Sequence, residues 1–131
     1  MQVLVGIDVI AISRIRSLLE SYPDKFPDYA FTKSEQKYCN QQAHPAQHYA
    51  VRWSVKEAFI KSIAQPGANP DLPSIEVTNE LPLKLSLSGD ALNLLEQITP
   101  EKKSYEDVEI SVSMSHERNA DIALAIVVIM L

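Results

Sequence analysis

The segment Ala120–Leu131 limits the fold more tightly than any other stretch of the chain. Side chains alternate between the two faces of a strand, and here both faces are apolar. Such a strand must be covered on two sides. Helices of the same chain are expected over one face, and a second subunit over the other. The run Ile122–Leu131 is the longest apolar one in the chain. It falls far short of the roughly 18–20 residues needed to cross a bilayer, so it reads as a buried strand. Val108–Ser115 has a period of two, with Val108, Ile110, Val112 and Met114 facing one way. It makes a suitable partner strand, with His116–Asn119 as the hairpin between them.

The remaining elements follow from local signals. Val3–Ile10 is β-branched and apolar and reads as a strand. Ile12, Ile15, Leu18 and Leu19 recur at helical spacing through Tyr22, with Ser13 as a candidate cap and Pro23 and Pro27 as stops. Thr32-Lys-Ser-Glu35 is a capping-box pattern opening a short helix that ends near Asn40. Pro45 suits the first turn of a long helix reaching about Ala64. On it Val51, Val55, Ala58 and Phe59 form an apolar stripe, while Trp53, Glu57 and Lys61 share another face. Gln65–Pro73 reads as a loop, and Ile75–Thr78 and Leu83–Leu87 as short strands turning at Pro82. Ser88 is a candidate cap for a helix to about Ile98 that turns Ala91, Leu94 and Leu95 inward, with Pro100 ending it. The order β-α-α-α-β-β-α-β-β predicts an α+β fold: a mostly antiparallel sheet with helices packed on one face, in a single domain over residues 1–131.

Charge and cysteine usage narrow the function classes. A formal net charge of −5 argues against general nucleic-acid binding, which rests on a basic surface. Basic residues are nonetheless gathered locally, at Arg14 and Arg16 and at Arg52, Lys56 and Lys61, a pattern suited to small anions or acidic partners. The one cysteine, Cys39, can form no intramolecular disulfide; it reads as a semi-buried, unreactive thiol that fits a reducing cytoplasm. Met1–Ser13 has neither a basic leader nor a small-residue cleavage site, so no signal peptide and no membrane partner are expected.

Three residues stand out chemically. Asp8 interrupts an apolar strand, where an ionised carboxylate is costly unless it is paired or metal-bound. The ordinary alternative is a strand-end carboxylate capping the next helix. Glu57 lies mid-helix among Arg52, Lys56 and Lys61. Its i, i+4 pairing with Lys61 would be worth only about 0.2–0.5 kcal/mol as a surface ion pair. Arg52 and Lys56 repel each other at the same spacing unless an anion lies nearby. His116 ends a strand, where a lone histidine is more often a turn residue than a ligand. His44 and His48 read as surface or core without function.

Together these residues carry a family pattern. Gly6-Ile-Asp8-Val-Ile-Ala-Ile-Ser-Arg14-Ile15, Arg52-Trp-Ser-Val-Lys56-Glu57-Ala-Phe-Ile-Lys61 and Ser113-Met-Ser-His116 occur in order and spacing. Phe31-Thr32 and Leu87-Ser-Gly-Asp-Ala91 fit as well. The chain resembles the holo-[acyl-carrier-protein] synthases, the small single-domain class of 4′-phosphopantetheinyl transferases. The resemblance implies Mg²⁺-dependent transfer of the phosphopantetheine arm of coenzyme A to a serine of an apo acyl carrier protein, releasing 3′,5′-ADP. It implies Asp8 and Glu57 as Mg²⁺ ligands, and Glu57 and Lys61 as the catalytic residues. Arg52, Lys56, Lys61 and His116 would bind coenzyme A, and Arg14 and Arg16 would dock the acidic carrier. Two proton acceptors fit, Glu57 and a water on the metal. A cytoplasmic homotrimer is implied.

Several positions depart from the family pattern. Ala11 stands where a glutamate is usual and Ile7 where a threonine is usual. The loop after Ala64 is not glycine-rich, an arginine usual near His44 or Pro45 is missing, and a Gly-Lys-Pro turn is reduced to Leu81-Pro82. These motivate one alternative, a non-catalytic relative that binds coenzyme A or the carrier. A second is another metal-dependent phosphoryl enzyme, which would usually need more carboxylates for two metals. A third is a purely structural oligomer.

Overall fold

The computed structural model describes residues 2–131. Its main sheet has three strands, β1 (Val3–Ala11), β4 (Glu109–Glu117) and β5 (Ile122–Met130), in the order β1-β5-β4 and antiparallel throughout. The last strand is therefore central, with both of its edges paired. Ile10, Ala123 and His116 stand in one cross-strand row, and Asp8, Ala125 and Met114 in another. Residues opposite one another share a face. Leu4, Gly6, Asp8 and Ile10 thus turn with Ala123, Ala125, Val127 and Ile129 toward the helices.

The long helix α4 (Pro45–Ile63) packs across β1 and β5 on that face. Helices α1 (Ile12–Ser21), α2 (Lys25–Ala30) and α3 (Lys33–Asn40) gather round its first half. The hairpin β2 (Ile75–Val77) and β3 (Leu85–Leu87), with α5 (Gly89–Ile98), closes over its second half. Small residues let α4 come close to the sheet. A Cβ added to Gly6 would lie 1.8 Å from the Ala58 carbonyl oxygen and 2.6 Å from the Ser62 nitrogen. Only glycine permits this contact, because both obstacles are backbone atoms.

The opposite face of the sheet is open. Val3, Val5, Ile7 and Val9 are 51–62% exposed there, and Ile122 and Ile126 join them across the register.

Most expected elements are present, with four differences. An additional helix, α2, separates α1 from α3; Pro27 lies in its first turn, where the missing N–H costs nothing, and Phe26, Pro27 and Ala30 bury one side of it. Ser13 does not cap α1, because the extended strand runs to Ala11 and Ser13 falls inside the helix. Ser88 occupies the N-cap position of α5, but its side chain makes no capping bond; the Ser74 hydroxyl accepts from the Ala91 N–H instead. Finally, β4 continues through Glu117, so His116 lies in the strand and the turn is Arg118–Asp121. The Thr32–Glu35 capping box and Pro45 in the first turn of α4 stand as expected.

Candidate active site

Asp8 lies on the inward face of β1, opposite a helix whose near side carries Glu57 and Lys61 one turn apart. The close packing at Gly6 sets this seam. The Lys61 ammonium donates to Asp8 Oδ1 at 2.8 Å, with the Lys61 side chain 55% exposed and that of Asp8 12%. Lys61 therefore pairs across to the strand rather than with Glu57 along the helix, correcting the i, i+4 expectation. Glu57 is half-buried, and its carboxyl is pushed above the usual range by burial and by the Asp8 charge, with Lys61 opposing. Two carboxylates served by one ammonium leave a net negative charge on this seam.

That arrangement fits a hard divalent cation. Mg²⁺ takes one or two carboxylates and completes its shell with water and substrate phosphate oxygens. Among the described residues no group of three or more His, Cys, Asp or Glu side chains is placed to hold a metal alone. A cation here would complete its shell with water or with oxygens of a bound ligand.

Arg52 and Lys56 do not join the seam. Both are essentially fully buried. Lys56 donates to Glu35 Oε1 at 2.8 Å, to the Leu72 carbonyl at 3.0 Å and to the Ile75 carbonyl at 2.5 Å, which uses all three of its donors. Arg52 stacks on Tyr38, 4.3 Å from the ring centroid, and donates to the His48 carbonyl and to Asn79 Oδ1. This placement does not support the expectation that they bind coenzyme A: this face of α4 is roofed by α3 and β2, and both cations are engaged within the protein. Glu35 is the partner that sequence reasoning assigned only to a cap. Its oxygens accept from the Thr32 N–H, Lys56 and the Val77 N–H, tying α3, α4 and β2 together.

His116 is exposed, and its ring packs edge-on against His48 at 5.3 Å. His44 meets Arg118 from the β4–β5 turn. All three histidines thus collect with Arg118 at the start of α4, a basic edge that sequence spacing did not reveal because it joins segments far apart in the chain. Burial holds His48 below its usual range, with the positive charges of His116, Arg52 and His44 adding to the effect. Arg14 and Arg16 are exposed on α1. Cys39 is fully rather than partly buried, and its thiol is pushed up to about 12 by burial, so it is unreactive.

Comparison with known proteins gives a consistent picture. Residues 4–127 match the family described as "4'-phosphopantetheinyl transferase superfamily". A holo-[acyl-carrier-protein] synthase of Syntrophus aciditrophicus is 38% identical over 118 residues, covering 87% of this chain and 86% of that protein. Another, from Chloroherpeton thalassium, is 37% identical and covers 95% of each. Among solved structures, the Chronobacterium ammoniagenes ACPS–CoA complex superposes with a TM-score of 0.80 at 26% identity, covering 99% of this chain and 98% of that one.

Proposed function

The chain belongs to the 4′-phosphopantetheinyl transferase superfamily, and from that premise we infer how its own residues carry out the reaction. It is an enzyme of the holo-[acyl-carrier-protein] synthase type, moving the phosphopantetheine arm of coenzyme A to a serine of an apo acyl carrier protein. In the transfer, a bond forms from the serine oxygen to the β-phosphorus of coenzyme A. The phosphoanhydride bond to 3′,5′-ADP breaks, and the serine proton passes to Glu57 or to a water molecule at the site. The observation that carries our assignment of roles is the seam of Asp8, Glu57 and Lys61.

Asp8 and Glu57 are the residues that would hold Mg²⁺, which when bound would neutralise charge on the diphosphate and orient it. Lys61 is exposed enough to leave Asp8 for the diphosphate, where its charge opposes the negative charge that builds up on departing 3′,5′-ADP. Asp8 holds that ammonium over the seam until substrate arrives. The basic edge of His116, His44 and Arg118 suits the nucleotide phosphates. Arg14 and Arg16 suit the acidic carrier, and charge of opposite sign speeds encounter more than it tightens binding.

The open apolar sheet face supports a homotrimer in which neighbouring subunits cover it, since a patch of this kind usually marks an interface. A single buried thiol fits a reducing cytoplasm. No helix among the described residues is long and apolar enough to cross a membrane.

The direct test is incubation with an apo acyl carrier protein, coenzyme A and Mg²⁺, followed by weighing the carrier. The expected result is a gain of the phosphopantetheine mass that disappears with EDTA and in Glu57→Ala. Transfer by Glu57→Ala at the wild-type rate would overturn the role given to the seam.

A further inference from the structure

Helix α1 begins without means of its own to satisfy its first turn. Its N-cap residue is Ala11, its first turn contains no acidic residue, and Arg14 lies in that turn. The first N–H groups of a helix need acceptors, and a cation there works against the helix dipole. Both deficits are met from the β4–β5 turn. The Asp121 carbonyl accepts from the Ile12 N–H at 3.1 Å. Its Oδ1 accepts from the Ser13 N–H at 2.7 Å, and its Oδ2 from the Ser13 hydroxyl at 2.5 Å. One residue, 108 positions away in the chain, thus acts as the cap of α1.

A second observation concerns the backbone. Asp121 has φ +57°, a left-handed conformation that non-glycine residues rarely adopt and aspartate tolerates better than most. Residues held there persist where the surroundings over-determine them. The same turn also grips the start of α4, where Arg118 meets His44. It therefore holds both walls of a surface cleft between α1 and α4 that is lined by Arg16, Leu19, Glu20 and His44.

We propose that Asp121 is a positioning residue for carrier-protein docking, its carboxylate setting the first turn of α1 and with it the placement of Arg14 and Arg16. This rests on the reading of α1 as the docking helix. Ile12 and Ile15 are fully buried and anchor α1 to the core without help from Asp121. Loss of the carboxylate should therefore loosen the first turn without unfolding the helix.

Asp121→Gly keeps the tolerance for positive φ while removing both side-chain acceptors of the Ser13 bonds. Ser13→Ala removes one bond without changing charge. Binding of apo acyl carrier protein and of coenzyme A would be measured separately by calorimetry, beside turnover and thermal unfolding. Asp121→Gly should weaken carrier binding about three- to tenfold, the size of effect that loss of a cap produces, with coenzyme A affinity unchanged. Ser13→Ala should do the same to a smaller degree.

A purely electrostatic role predicts the opposite sign, because removing an acidic group near Arg16 should tighten the hold on an acidic carrier. Tighter binding would overturn the proposal, as would a lower melting temperature with both affinities unchanged. Wild-type protein that binds the carrier but transfers nothing would overturn the transferase reading, while the two carrier affinities would still decide the part played by Asp121. Wild-type protein that does not bind the carrier would overturn the docking assignment and this inference with it.

Discussion

Replacing Gly6 by alanine is the sharpest test of how the active seam is built. In an ordinary strand, alanine is favoured over glycine by roughly 0.5–1 kcal/mol, because glycine loses more conformational freedom on folding. Here the added Cβ would lie 1.8 Å from the Ala58 carbonyl oxygen and 2.6 Å from the Ser62 nitrogen, against an ordinary contact of 3.4–4 Å. Neither atom can rotate away, so α4 must move back from β1 by more than about 1 Å. Overpacking of a core costs about 1–3 kcal/mol, and a backbone-to-backbone clash belongs at or above the top of that range. The penalty outweighs the entropic gain, and the sign of the substitution reverses. The shift also opens the 2.8 Å contact between Lys61 and Asp8. A displacement of about 1 Å at a reacting centre can cost on the order of 10²-fold in rate. Urea unfolding should show a loss of at least about 2 kcal/mol. Transfer measured below the unfolding transition should fall by on the order of 10²-fold. A variant as stable as wild type and within about twofold of its rate would refute the argument that close packing at Gly6 creates the site.

Three further outcomes follow from the same geometry. Lys56→Met would strand the buried Glu35 carboxylate and should cost about 3–5 kcal/mol in chemical denaturation, and adding Glu35→Gln should recover part of that loss; a penalty under about 1 kcal/mol for Lys56→Met alone would show that the pair is not held dry. His48 is held below its ordinary value of 6.5 in the folded protein, so unfolding takes up a proton. Its contribution to stability is complete above that value and declines as pH falls through the lower folded pKa, so the urea midpoint should fall less in His48→Gln than in wild type between about pH 7.5 and about pH 5.5. Val5→Lys combined with Val9→Lys places charge on the open sheet face and should give a folded monomer by sedimentation equilibrium; an unchanged assembly would put the subunit interface elsewhere.

Features fixed within a turn or two of backbone could be read directly from the amino-acid order. The Thr32–Glu35 capping box, Pro45 in the first turn of α4, the end of that helix near Ala64 and the alternation in β4 are all local, because caps and periodicity depend only on near neighbours. The doubly apolar character of Ile122–Leu131 was also legible, as a strand that needs cover on both faces, whereas its central place in the sheet was not. Asp8 drew notice as a charge in an apolar run, and Glu57 and Lys61 as members of a motif.

Partners distant in the chain were decided only by the tertiary structure. Lys61 stands four residues from Glu57 but bonds to Asp8, 53 positions away. Arg52 and Lys56 read as a basic cluster suited to an anion, yet their face of the helix is covered by α3 and β2 and turned into a buried ion pair and a stack on Tyr38. Ser13 has the right chemistry for a cap, but the helix already starts at Ile12 and places Ser13 inside its first turn, and Asp121 supplies the cap across the fold. The three histidines are scattered in sequence and meet only where β4 crosses the start of α4. A charged side chain near a helix surface has many possible neighbours at similar energy. Which one it meets depends on how closely the backbones approach, and here that closeness depends on a glycine whose role appears only once Ala58 is seen beside it.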